Sequence, residues 1–248
     1  MLARLLDTLF PRCCSGCGEG PWPFCDGCRG SLIVMSPPFC ERCGRPAETT
    51  LAKCRDCPPE PVESARAPFL FSGPARRAVH RLKFSGQRSI AGALGAAMAA
   101  ANEAQPDALT WVPLSPARRA KRGFDQAKAL ASVAASHLGL PSRKMLVRIA
   151  DLPPQARRTG GERRRAMQGA FRSSGGRPPP PKRILLVDDV LTTGATAAEC
   201  AAVLRDAGAE EVSLLVAARA LSKSLPDRCY ARSGSRLGLW LPGEEVPR

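Results

Sequence analysis

The sequence predicts an α/β fold with a parallel sheet, preceded by a small cysteine-rich domain. Three observations carry that expectation. Nine of the 11 cysteines precede residue 58, apolar runs alternate with alanine-rich stretches from Pro61 onward, and one apolar run ends in paired acids and a loop of small residues, Ile184-Leu-Leu-Val-Asp188-Asp189-Val-Leu-Thr192-Thr193-Gly194-Ala195-Thr196. Strands that alternate with helices in this way build parallel sheets.

Eight of the early cysteines form four C-x2-C pairs, Cys14/Cys17, Cys25/Cys28, Cys40/Cys43 and Cys54/Cys57, with Cys13 left over. Thiolates two residues apart suit tetrahedral Zn²⁺, because a tight turn lets both sulfurs reach one ion at about 2.3 Å. The glycines that follow Cys17 and Cys43 fit such knuckles. Disulfides are the alternative, disfavoured by the fourfold repeat of the spacing and the lack of an export signal. Taken in order, the pairs read C-x2-C-x7-C-x2-C and C-x2-C-x10-C-x2-C, two short ribbons in series, with cross-braced pairing left open. Sixty residues with few large apolar side chains hold no core unaided, so bound metal would supply the folding free energy. Four Cys ligands per ion leave no open coordination position, which makes the role structural.

The Pro-rich joint Cys57-Pro-Pro-Glu-Pro61 marks the expected boundary between a 1–60 domain and a 61–220 domain. Beyond it, Pro68–Phe71 reads as a strand, and Ala75–Phe84 and Ser89–Asn102 as helices. Ala108–Leu114 reads as a buried strand and Lys128–Leu138 as a helix. A flexible, Pro-rich stretch over Ser173–Lys182 then leads into the strong strand Arg183–Val187. Ala197–Ala207 is a helix ended by Gly208, Glu211–Ala217 a further strand, and 221–248 a tail without regular pattern.

The net charge of +15 over 248 residues is concentrated rather than spread. Residues 112–172 hold 14 basic and 3 acidic side chains, whereas 1–60 balance at 7 of each. Such a block attracts phosphates, on a small molecule or along a nucleic acid strand, a solvated face being the bland alternative. The longest charge-free stretch, Ser89–Asn102, falls short of the ~20 apolar residues a bilayer span needs, so no membrane insertion is expected. Met1–Phe10 carries Asp7 within its apolar run and reads as a short amphipathic helix, which points to a cytoplasmic protein. His80 and His137 read as helix-surface or packing residues, and Cys200 as a small core residue.

The paired acids have a stated chemistry. A buried strand delivers Asp188 and Asp189 to the C-terminal edge of the sheet, where open α/β sheets bind ligands. Thr192, Thr193, Gly194, Ala195 and Thr196 then open a helix, so backbone N–H groups, hydroxyls and the helix dipole suit a phosphate. Carboxylates suit sugar hydroxyls and hydrated Mg²⁺. Together they describe a ribose 5-phosphate.

The 184–196 segment resembles the phosphoribosyl diphosphate (PRPP) signature of type I phosphoribosyltransferases. Residues 1–220 resemble the ComF family, bacterial proteins linked to competence and DNA uptake, in which a double zinc ribbon precedes such a domain. The segments that carry the resemblance are the cysteine pairs, Gly73-Pro-Ala-Arg-Arg-Ala-Val-His-Arg-Leu-Lys-Phe84, Val112-Pro-Leu-Ser115, Lys121-Arg-Gly-Phe-Asp-Gln126, Gln155, and the arginine-rich run to Gly169-Ala-Phe171. The resemblance implies a Rossmann-like parallel sheet, PRPP bound with Mg²⁺, and two structural Zn²⁺ on the eight paired cysteines. It implies Asp188 and Asp189 on the ribose hydroxyls, with Arg122 joining them as catalytic groups, and Thr192–Thr196 on the 5′-phosphate. Ser115, Arg118, Arg119, Arg122, Gly123 and Gln126 would face the diphosphate, and 153–171, with Gln155 and Arg163, would close over it. Ala166 stands where similar sequences carry Asn. Thr192 stands where purine-salvage relatives carry an acid, which disfavours a hypoxanthine-like acceptor.

Two functions of different class follow. One is a phosphoribosyltransferase that displaces diphosphate from PRPP. The other is a non-catalytic PRPP sensor or a single-stranded DNA-binding partner of the uptake machinery. Strand binders add aromatic platforms to a basic groove, and the basic block holds only Trp111 at its edge, Phe124 and Phe171.

Overall fold

The computed structural model describes residues 13–84, 87, 89–149, 169–175, 179–221 and 231–232. In chain order the elements are α1 (Asp26–Gly30), β1 (Ile33–Val34), β2 (Ala65–Arg66), β3 (Phe69–Leu70), α2 (Gly73–Phe84) and α3 (Ser89–Ala100). Then come β4 (Ala108–Trp111), α4 (Pro116–Arg122), α5 (Gln126–Leu138), β5 (Leu146–Arg148) and β6 (Phe171–Ser173). The last are β7 (Arg183–Leu191), α6 (Ala195–Asp206), β8 (Glu211–Arg219) and β9 (Ala231–Arg232).

One sheet runs β4-β7-β8-β3-β1-β9, with β2 also pairing β8. Its core is parallel: β4 with β7, β7 with β8, and both β2 and β3 with β8. The strands of that core are apolar on both faces, as parallel strands covered by helices must be. Alternation divides them cleanly. Leu185, Val187, Leu215 and Ala217 point into the cluster that α2, α3 and α5 complete, whereas Ile184, Leu186, Leu214 and Val216 point into the cluster that α6 completes. Helix α3 is buried at nine positions, and its small residues let α5 approach closely. A methyl on Gly95 would lie 2.7 Å from Val133 Cβ.

The cysteine-rich segment divides between these two faces. Cys14, Phe24, Cys28 and Leu32 join the first cluster, and Cys40, Cys43 and Val62 join the second. Between them the chain passes through β1, which pairs antiparallel with β3 and so adds residues before the Pro-rich joint to the sheet itself. Both ribbons thus borrow apolar surface from the sheet.

Several expected elements have different bounds. The strand from Ala108 ends at Trp111 because Pro113 has no N–H to continue the ladder; Val112 N–H donates the last bond, to Val187 O at 2.9 Å. The segment expected as a loop after it contains α4, capped by Ser115, whose Oγ accepts Arg118 N–H at 3.3 Å, and ended by Gly123 at φ 73°. Strands β7 and β8 run to Leu191 and Arg219, beyond Val187 and Ala217, because the two pair along nearly their whole length. The hairpin of β5 and β6 has no counterpart among the expected elements; it ties Gly169–Phe171, expected within a mobile loop, to the body by burying Ala170 and Phe171. Residues 231–232, expected in an irregular tail, pair with β1. The expected helix at Met1–Phe10 lies outside the described residues. Among those described, no helix is long and apolar enough to cross a membrane.

Arg219, at the end of β8, is 2% exposed, and its guanidinium donates to Cys43 O at 2.9 Å and to Asp56 O at 2.7 Å. It bonds the second ribbon to the sheet. Replacing it by Ala leaves those carbonyls without their charged donor and a void among Cys43, Asp56 and β8, and a loss of roughly 2–5 kcal/mol is expected. Lys cannot reproduce a planar fork. Denaturant melts of R219A and R219K should both show the loss, and full recovery in R219K would show that charge alone suffices.

Candidate functional site

The cysteines assemble into two tetrads. Cys14, Cys17, Cys25 and Cys28 form one and Cys40, Cys43, Cys54 and Cys57 the other, with all four ligand atoms of each within 4.8 Å of one another. The pairing is therefore sequential, and cross-bracing is excluded. Sulfurs stand 3.5 Å apart at Cys43/Cys54, 3.6 Å at Cys40/Cys57, 3.7 Å at Cys17/Cys25 and 3.8 Å at Cys54/Cys57. A regular tetrahedron with bonds of about 2.3 Å has edges of about 3.8 Å, so the donor sets and their spacing fit Zn²⁺. Backbone N–H groups of Gly16 and Cys25 point at Cys14 Sγ, at 3.4 and 3.3 Å, as they do around a charged thiolate. Cys13 lies outside both tetrads.

Arginines of α2 hold the first tetrad. Arg77 donates to Gly16 O at 3.1 Å and reaches Cys28 Sγ at 3.7 Å, and Arg81 donates to Cys14 O at 2.5 Å. Their i, i+4 spacing put them on one helix face, a signal visible in the sequence but without an expected partner. The same helix ends in Lys83, whose ammonium meets Asp189 Oδ1 at 2.7 Å. Sequence reasoning missed Lys83 as a site residue.

The two acids sit within β7 rather than after it. Asp188 stands opposite Val216 in β8. Alternation places Asp188 on the face of Leu186 and Asp189 on that of Val187, so the carboxylates diverge while remaining coupled. Burial and the neighbouring Asp189 charge push the Asp188 carboxyl up to about 7, against the pull of the Asp189 backbone N–H and Lys83. Asp189 N–H donates to Asp188 Oδ1 at 2.8 Å. Immediately beyond, Thr192 and Thr193 are exposed, and Gly194 caps α6 at φ 76°. Only Gly holds that backbone without strain.

The remaining expected residues are distributed around this edge. Arg122 is half-buried, over the Phe84 ring at 5.4 Å, and donates to Gln126 Oε1 at 3.0 Å. Gln126 is wholly buried and also donates to Phe124 O, so it holds Arg122. Ser115 spends its hydroxyl on the α4 cap. Arg118 and Arg119 are exposed on α4, and Gly123 ends it. Gln155 and Arg163 lie outside the described residues, as does most of 153–171. The hairpin that flanks this segment is fastened near the loop, because Gly169 N–H donates to Glu199 Oε1 at 2.7 Å, one turn into α6. Glu199 left no sequence signal. Phe71, His80 and Phe84 form an aromatic row, with centroids 6.1 and 6.0 Å apart, and His80 is exposed on the surface of α2. Cys200 is buried in the core.

An α/β domain with an acid-ended strand leading into a glycine-capped helix, joined to two cysteine tetrads, is a phosphoribosyl transferase domain with a double zinc ribbon. Residues 5–58 match the double zinc ribbon domain and residues 121–240 the phosphoribosyl transferase domain. The chain thus joins a double zinc ribbon to a phosphoribosyl transferase domain, and it is similar to proteins named for competence and DNA utilization. It is 29% identical over 137 residues to competence protein ComFC of Bacillus subtilis, covering 50% of this chain and 55% of that protein. It is 29% identical over 211 residues to DNA utilization protein YhgH of Salmonella typhimurium, covering 81% of this chain and 92% of that protein. A solved glutamine PRPP amidotransferase from B. subtilis aligns over 51% of this chain and 26% of its own, at 23% identity and a TM-score of 0.37.

Metal analysis of protein purified without added zinc should give two Zn²⁺ per chain, and Cys17→Ser or Cys54→Ser should each leave one; a value near zero with intact thiols would exclude zinc. Asp188 yields a pH prediction. Its carboxyl titrates at about 7 when folded and near 3.9 when unfolded, so between those values the folded state holds a proton the unfolded chain lacks. Stability therefore falls as pH rises through that window. Asp188→Asn should melt above wild type at pH 8, with the difference closing toward pH 4, and thermal melts across pH check it.

Proposed function

We propose that the protein binds PRPP with Mg²⁺ at 188–196 and transfers its phosphoribosyl group to an acceptor, in a process of DNA utilisation or competence. The observation that supports this most is the continuity of Asp188 and Asp189 in β7 with the loop that opens α6 at Gly194. Diverging carboxylates suit two ribose hydroxyls, and the helix N-terminus that opens at Gly194 suits a 5′-phosphate. Mg²⁺ would add charge neutralisation of the diphosphate. Its charge would also offset the Asp189 repulsion, which adds to burial in raising Asp188. Lys83 balances Asp189, and once Asp188 ionises, above about pH 7, the group is net negative, which favours positive charge developing at the sugar carbon as diphosphate departs. Arg122, steadied by Gln126, supplies a further fixed cation, with Arg118 and Arg119 on the exposed helix for the leaving group. The names of the relatives, competence protein and DNA utilization protein, motivate the cellular setting.

A cavity of about 350 Å³ favours a second reading, single-stranded DNA as partner. It lies at the β4 end of the sheet and is lined by Trp111, Arg119, Lys128, Lys144 and Arg148, among others. Its cations would follow a phosphate backbone. Stacking is poorly served, because Trp111 and Phe171 are 8% and 4% exposed, with Lys128 and Arg148 over their rings. Binding would then be ionic and strongly salt-dependent.

Calorimetry with Mg²⁺ and PRPP should show an affinity loss of about tenfold or more, ~1.4 kcal/mol, for Asp189→Asn. Release of diphosphate on adding pooled nucleobases and amines reports turnover, and unchanged binding in the variant would misplace the site. Oligonucleotide binding by wild type should collapse with salt and weaken in Lys128→Ala with Lys144→Ala, whereas tight binding that persists at high salt would favour a dedicated strand binder.

A further inference from the structure

We propose that the second cysteine tetrad, acting through Pro58, sets the backbone of the 192–196 loop, so that metal binding at this tetrad governs phosphate binding there. The inference rests on the reading of that loop as a phosphate site. Its geometry does not. Pro58, buried, follows Cys57 directly and lies against Gly194: a methyl on Gly194 would stand 2.6 Å from Pro58 Cβ and 2.9 Å from Pro58 Cα, and 3.2 Å from Pro59 Cδ. The absence of a side chain at Gly194 therefore serves two needs, the left-handed φ of 76° and the seat of Pro58.

The tetrad is fastened to the same edge at a second point. Arg219 holds Cys43 O and Asp56 O, and its register partner in β7 is Leu191, the residue before the loop. Ala220 N–H closes the pair by donating to Leu191 O at 2.8 Å. Leu191, Ala197 and Ala198 share one core cluster with Cys40 and Cys43, and Cys54 and Cys57 pack against it. The loop is thus held from outside by the turn that the last two ligands define. A Pro at this point transmits position well, since its ring fixes φ and leaves few ways to yield. Without metal, Cys54–Cys57 keeps Arg219 on Asp56 O and Arg45 on the Asp56 carboxylate but loses its two ligand bonds, and the turn that carries Pro58 loosens. The first tetrad is placed otherwise: Gly16 sits against Pro74 and its arginine contacts come from α2.

The experiment uses Pro58→Gly, which keeps all eight cysteine ligands, beside Cys54→Ser and Cys17→Ser. Zinc content, hydrogen exchange of amides in 194–201 and calorimetry with Mg²⁺ and PRPP are read on each full-length protein. Pro58→Gly should retain two Zn²⁺, exchange about tenfold faster in 194–201 and bind PRPP about tenfold more weakly. Cys54→Ser should reproduce the faster exchange, and Cys17→Ser, with one zinc lost, should leave that segment near wild type. Exchange in 194–201 unchanged in Pro58→Gly, with its zinc retained, would overturn the coupling. So would equal loosening by Cys17→Ser and Cys54→Ser. Wild type that binds no PRPP, with exchange still faster in Pro58→Gly, would support the mechanical link and overturn the phosphate reading beneath it.

Discussion

A guanidinium buried at the end of β8 joins the parts of this protein that have least reason to stay together. Among the described residues Arg219 is the largest fully buried side chain, and the two carbonyls it binds belong to the second cysteine cluster. A buried cation is costly without partners. Its presence there requires the ribbon, and the ribbon, too small for its own core, requires the sheet. Leu191 stands beside Arg219 in the ladder and leads directly into the loop at Gly194. Sheet, ribbon and loop are therefore parts of one packing problem.

The first cysteine cluster solves the same problem on the opposite face. It rests on α2 through Arg77 and Arg81, and the far end of that helix presents Lys83 to Asp189. Each cluster thus supports one side of the acidic edge, the first through a helix and its ammonium, the second through a proline and its backbone. A double ribbon followed by a single α/β domain makes structural sense in these terms, since a sheet has two faces and each ribbon needs one.

Charge is distributed with similar economy. The molecule is strongly basic, yet its candidate site contains two coupled carboxylates with one close ammonium, and burial raises Asp188 to about 7. Arg118 and Arg119 are exposed on α4, and Asp125, which lines one cavity with Arg119, caps α5. An anion with an associated divalent cation would satisfy both halves of that arrangement.

Much of this was determined by the sequence alone. The fourfold C-x2-C spacing pointed to tetrahedral metal sites because a tight turn aims both thiolates at one point, and the apolar runs around 184–187 and 211–217 pointed to a parallel sheet because both faces of each strand had to be buried. The acid pair and its glycine-capped loop were legible because their chemistry is local. Ser115, Pro116 and Gly123 also spelled out a short helix, by cap chemistry that was overlooked beside the basic residues between them. Other features were decided only when distant segments met. Nothing in the neighbours of Lys83 names Asp189, nothing near Arg219 names Cys43, and Pro58 and Gly194 are separated by most of the domain. Sequence patterns report periodicity and local turns, whereas the partner of a buried charge and the atom that fills the space above a glycine depend on how two faces of one sheet are covered, and only the tertiary structure decides that.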